Sequence, residues 1–180
     1  QLINELNPES VLQVIQADLT QTTEVYHLLQ AVAFRVDALI YVSGMTQFGL
    51  FQDTTEQQMD EMLHLHVKAP WLVTKHFLPQ MVQQRAGKII FITSIWGNIG
   101  ASYEVIYSSV KGAQNSFIKA LSKEVGSSGI SVNAVSPGFI ENIPLHRAGL
   151  PTEVAHTVSF LMDEKSNYIQ GEIINIAGGW

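Results

Sequence analysis

The stretch KIIFIT, residues 88–93, decides how the rest of the chain is read. A short run of apolar, β-branched and aromatic residues with no polar alternation reads as a strand buried on both of its faces. The same reading extends outward to VLQVIQ (11–16), DALIYVS (37–43), ISVNAV (130–135) and GEIINIA (171–177). Between these runs lie longer amphipathic stretches. TTEVYHLLQAVAF (22–34) predicts a helix, the mixed segment 55–85 predicts another that is bent or interrupted near Pro70 and Pro79, and 103–125 predicts a third. A last helix is expected over 151–162, with Thr152 as its N-cap and Pro151 as the breaker before it. Strands buried on both faces and separated by helices imply an α/β fold, a doubly wound parallel sheet of Rossmann-like form. Neither a repeat nor a low-complexity linker interrupts residues 1–180, so a single domain is expected.

Composition narrows the function. Of the 180 residues 46% are hydrophobic and only 14% charged, against about 25% charged in an average globular chain. A surface so poor in charge is expected to be covered in part by further copies of the chain. A net charge of −6 argues against a nucleic-acid surface. The absence of cysteine excludes disulfides and thiolate metal sites, and no metal site is expected. No apolar run approaches the roughly 20 residues that span a bilayer. With no leader visible either, a cytoplasmic location away from membranes is the expectation.

In open parallel sheets, ligands sit beyond the carboxyl ends of the strands. Those places carry ADLT (17–20), Ser43 and Gly44, SIWG (94–97) and SPG (136–138). Ser94 closes the strand 88–93, Tyr107 follows 13 residues later, and Lys111 lies one helical turn beyond Tyr107. A Tyr–Lys pair at that spacing is by itself more often a stripe of an ordinary helix. With the serine at the strand end, the three side chains can meet over a ligand. A free phenol has a pKa of about 10. A nearby ammonium is expected to lower it, so that the phenol exchanges a proton with a carbonyl or alcohol oxygen that the serine hydroxyl holds.

With Ser94, YSSVK (107–111) and VNAVSPGFI (132–140) in place, the chain resembles the short-chain dehydrogenase/reductase family over nearly its whole length. Its tail, 143–180, is most similar to those of the 3-oxoacyl-[acyl-carrier-protein] reductases. The resemblance implies NAD(P)H-dependent reduction of a ketone, a 3-oxoacyl thioester, with a role in fatty acid biosynthesis. NADP is the implied cofactor, NAD not being excluded. The substrate would be small or carrier-bound, and the assembly a homodimer or homotetramer. By the same resemblance Tyr107 is the general acid, Lys111 holds the nicotinamide ribose, and Ser94 positions the carbonyl. Asp18 and Leu19 meet the adenine. Ser43 and Gly44 border the adenosine side, and Pro137, Gly138 and Ile140 pass near the nicotinamide. Each has a plainer reading: Asp18 as a local cap, Pro137 and Gly138 as an ordinary turn.

Three departures stand out. No glycine-rich pyrophosphate loop occurs, and QLINELNPES (1–10) looks like the end of the helix before the third family strand, so the first strand–helix–strand unit is expected to be missing. SPGFIENIPLHRAG (136–149) passes almost directly from the Pro-Gly turn to the last helix, which places a missing substrate loop near 141/142. Either a longer protein from which mobile segments have been left out, or a truncated domain, would read this way. Finally, His66 stands where the family often has an asparagine that helps bind a relay water, and YVSG (41–44) stands in place of the usual Asn-Asn-Ala-Gly run. His66 can donate, accept and titrate, so it is a candidate in the relay or a packed side chain. His64, two residues away, faces elsewhere on a helix. A degenerate member acting as a cofactor-binding or assembly module, and a dehydrogenase for another alcohol, are the alternatives.

Overall fold

The structure, a computed structural model, describes residues 8–138 and 143–180. Four strands form one parallel sheet in the order β1 (Ala38–Tyr41), β2 (Gly87–Ile92), β3 (Ile130–Pro137), β4 (Ile173–Ile176). In register, Tyr41 lies beside Phe91 and Phe91 beside Ala134. The helices are α1 (Thr22–Ala31), α2 (Glu56–Leu63), α3 (Ala69–Gln84), the short α4 (Trp96–Ile99), α5 (Val105–Val125) and α6 (Pro151–Met162). On one face Tyr41, Ile89, Phe91, Val132 and Ala134 pack against α1, α3 and α5; on the other, Ile90 and Val135 meet Leu161 of α6. Helices on both faces make this the doubly wound α/β arrangement expected. None of the described helices is long and apolar enough to cross a membrane.

The bend expected near Pro70 has a specific form. Proline has no N–H, so the His66 carbonyl four residues earlier loses its helical partner. The chain widens into a π turn over His64–Lys68, in which the Ala69 N–H reaches back to the His64 carbonyl. Gln114 on α5 then donates its side-chain amide to the His66 carbonyl at 2.7 Å. At Pro79 the expectation fails, because α3 runs through it to Gln84. Lys75 and Pro79 lie on the exposed side, where solvent can reach the freed carbonyl.

Two further expectations are corrected. Residues 11–16 form no strand, and Leu12 and Val14 are exposed. A strand needs a neighbour for its backbone groups, and β1, the edge of the sheet, does not pair with this segment. Among the described residues no strand pairs with the outer side of β1, and Ile40 and Val42 beside it are 42% and 66% exposed. At α6 the N-cap is Leu150 and not Thr152, since Pro151 is itself the first helical residue, the position its fixed φ suits. Glu153 accepts the Leu150 N–H at 2.7 Å and holds Arg147 by two bonds of 2.6 and 2.9 Å.

Candidate active site

A cavity of about 340 Å³ opens at the carboxyl ends of β1, β2 and β3, lined by Gly44, His66, Ser94, Tyr107, Lys111 and Pro137 among others. Backbone bonds from Thr93 to Val135 and from Ile95 to Pro137 tie the end of β2 to β3, which fixes Ser94 between them. The buried Ser94 hydroxyl accepts the Trp96 N–H at 3.2 Å, leaving its own proton free to donate. Helix α4 lies directly on α5: a Cβ at Gly97 would come within 2.8 Å of the Lys111 backbone, and Asn115 donates to Asn98 at 2.8 Å. This close packing sets Ser94 and Tyr107 against one cavity.

Lys111 is 4% exposed and gives one of its three N–H bonds to the Ile92 carbonyl at 3.0 Å. Its nitrogen stands 5.6 Å from the centre of the Tyr107 ring. Burial pulls the ammonium down to about 8. The expectation that Lys111 lowers the Tyr107 pKa is not met. Burial raises the phenol, the Ser94 side chain offsets part of this, and the charge of Glu104 raises it further. Desolvation disfavours the phenolate, and the lysine, already bonded to Ile92, does not offset it.

His66 is fully buried, its ring edge-on to Tyr107 at 5.8 Å. Its Nε2 lies 2.8 Å from the Met45 carbonyl and 3.3 Å from the Met45 N–H, and the buried Nδ1 has no partner among the described residues. Burial and then Lys111 hold the imidazole down at about 4, so it is neutral at pH 7. The ring clamps the loop after β1 from beneath. His64 turns to other partners, the Leu19 carbonyl at 2.9 Å and the Thr22 hydroxyl at 2.7 Å. A Cβ added to Gly44 would lie 2.9 Å from His66 Cε1, so the glycine is needed for this approach. Gly44→Ala is expected to cost about 1–3 kcal/mol by overpacking, read as a lower urea midpoint. The smaller side chain of His66→Asn should recover most of that loss in the double variant; an unchanged midpoint for Gly44→Ala would refute the clamp.

Not every expected residue reaches the cavity. The Asp18 carboxylate accepts from the Thr20 N–H and hydroxyl at 2.9 and 2.8 Å, bonds that lower its pKa. With Leu19, whose side chain packs on the core, it lies apart from the cavity walls. Ser43 is exposed and does not line the cavity either. Gly138 borders a separate hollow with Ile143 and Ala177. Ile140 and the expected break near 141/142 lie outside the described residues. Met45, Trp96 and Glu104 line the cavity although sequence reasoning did not single them out. Glu104 was discoverable: it stands three residues before Tyr107, at the start of the helix that carries it.

A family described as short chain dehydrogenase matches residues 1–148, and the chain belongs to that family, one of oxidoreductases. It is 39% identical to the uncharacterized oxidoreductase YmfI of Bacillus subtilis, across 93% of this chain and 76% of that protein. That alignment runs over 185 positions, more than the 180 residues here, so the relative carries residues without counterparts. The chain is 34% identical to the 3-oxoacyl-[acyl-carrier-protein] reductase FabG of Aquifex aeolicus, across 98% of this chain and 74% of that one. Among solved structures, a 4-hydroxyisoleucine dehydrogenase complexed with NADH and succinate superimposes with a TM-score of 0.89 at 24% identity. The match covers 93% of this chain and 80% of the other, and is a likeness of fold.

Proposed function

We propose that this chain interconverts a ketone and its alcohol through Ser94, Tyr107 and Lys111, with a nicotinamide cofactor. The observation that carries this reading is the convergence of all three side chains on one cavity at the carboxyl ends of the strands. The residues present suit the nicotinamide–ribose half of such a cofactor. Lys111 has spent one ammonium proton on Ile92 and keeps two for ribose hydroxyls. Gly44 and Pro137 give a smooth wall for a ring. Among the described residues no glycine-rich turn cradles a pyrophosphate. NADP is the proposed form, with NAD the alternative.

When bound, the cofactor supplies hydride to the carbonyl carbon, or accepts it in the reverse direction. In reduction Tyr107 gives its hydroxyl proton to the carbonyl oxygen, and its raised pKa keeps that proton in place until then. The Ser94 hydroxyl donates to the same oxygen as charge builds on it. Lys111 stabilises the phenolate left behind. Ring contact with Tyr107 supports a positioning role for His66, the packed one of the two readings open to it.

The names of the FabG relatives make a 3-oxoacyl thioester the substrate to try first. The test is reduction of such a thioester with NADPH or NADH, followed at the nicotinamide absorbance, beside a titration of cofactor alone. Turnover above the Tyr107→Phe control supports the reading; cofactor binding without turnover of any ketone favours the non-catalytic module. A second reading, a dehydrogenase for another alcohol, is favoured by the unpaired carboxylate of Glu104 in the cavity wall. Assembly as a homodimer or homotetramer belongs to the same proposal, supported by Leu63 and Trp71, exposed on and beside the long helices.

A further inference from the structure

The carboxylate of Glu104 has an unusual position for a charged group. It lines the cavity with Ser94, Trp96 and Tyr107. It is half-buried, and among the described residues it has neither an ion-pair partner nor a side-chain hydrogen bond. Most acids at the start of a helix turn back to bond the exposed N–H groups there. Glu104 does not: it occupies the N-cap position of α5 without a side-chain cap. Partial burial also raises its pKa. Lys111, the cation of the cavity, is bonded to the Ile92 carbonyl.

The second wall is aromatic. Trp96 faces the same cavity, and Trp180 meets it edge-on at 6.1 Å, a contact that steadies the indole. A carboxylate and an indole beside a reacting oxygen form a receptor for a cation. The carboxylate supplies opposite charge, and the ring face attracts ammonium through its quadrupole. A neutral acyl chain would fill the space but leave the carboxylate desolvated and unpaired.

Building on the ketone–alcohol reading above, we infer that Glu104 is a specificity residue, and that the preferred substrates carry an ammonium group a few bonds from the reacting carbon. The substrate class is amino alcohols and the corresponding amino ketones. Glu104 meets the ammonium, Trp96 covers it, and the hydroxyl or carbonyl lies at Ser94 and Tyr107. Oxidation of the alcohol would pass hydride from carbon to the oxidised nicotinamide cofactor of that reading and the hydroxyl proton to the Tyr107 oxygen, leaving the ammonium group unchanged.

The test compares two alcohols of similar size at pH 7, 1-aminopropan-2-ol and butan-2-ol, in the wild-type protein and in Glu104→Gln. The quantity read is the ratio of the two kcat/KM values, which cancels any shared effect of the substitution on Tyr107. Wild type should favour the amino alcohol by about tenfold or more, and Glu104→Gln should bring the ratio near one. A ratio near one in the wild type, or one that survives in Glu104→Gln, overturns the inference. If the wild type oxidises neither alcohol, the ketone–alcohol reading is what fails. Quenching of tryptophan fluorescence by 1-aminopropan-2-ol then decides the inference separately. Saturable quenching in wild type that is lost in Glu104→Gln supports it, and no quenching, or equal quenching in both, overturns it.

Discussion

Tyr107→Phe is expected to lower turnover about 10²–10⁴-fold while leaving cofactor affinity nearly unchanged, the range typical of losing a positioned general acid. The substitution removes one oxygen and keeps the ring. That ring packs with Met62, Val67 and Val110, and the ring itself makes the edge contact with His66 at 5.8 Å. Fold and cavity shape therefore survive, and the loss reads on chemistry alone. The Ser94 hydroxyl still polarises the carbonyl oxygen, which leaves a residual rate, but no neighbouring group replaces the proton. Lys111 is 5.6 Å from the ring centre and engaged with Ile92. Steady-state rates in both directions, with a nicotinamide fluorescence titration on the same sample, would decide the matter. Turnover within about threefold of wild type would remove Tyr107 from the mechanism.

The largest stability effect is expected at Phe91. It is fully buried on β2, with Tyr41 stacked at 5.6 Å on one side and Phe117 of α5 edge-on at 5.9 Å. The ring thus joins two neighbouring strands to the helix that carries Tyr107 and Lys111. Phe91→Ala removes the transfer free energy of the side chain and opens a void that stiff neighbours fill poorly, at a cost of about 3–5 kcal/mol. Urea unfolding should show the midpoint fall with little change in slope. A loss below about 1 kcal/mol would mean that the sheet and α5 relax into the space, and that the aromatic contacts contribute little.

The strands were legible where the chain buries both faces, as in residues 88–93 and 130–135, because no alternation competes with a continuous apolar run. Residues 11–16 have a similar composition, but a strand also depends on a partner, and partners are not written locally. The α6 cap was misread because Thr152 is a good capping residue in the abstract, while Pro151 suits the first turn and Glu153 already satisfies the Leu150 N–H. In the site, Ser94, Tyr107, Lys111 and Pro137 were legible from spacing together with resemblance. Asp18 was readable two ways, and in the structure its carboxylate serves Thr20. The balance of forces on Tyr107 was not legible, because desolvation depends on everything that packs around the ring. Nor was the use of Gln114 to satisfy the His66 carbonyl, which joins residues 48 apart.

The open side of β1 bears on how this chain behaves at high concentration. An edge without a partner strand offers a row of N–H and C=O groups, and among the described residues this one is flanked by Ile40 and Val42 instead of the lysines or prolines that usually blunt such edges. Another strand, from any source, can extend the sheet there. Self-association measured on these 180 residues would thus combine two processes with different chemistry. One is the proposed helix pairing through Leu63 and Trp71, which would close after a fixed number of copies. The other is strand addition at β1, which has no natural end point and leads toward precipitation.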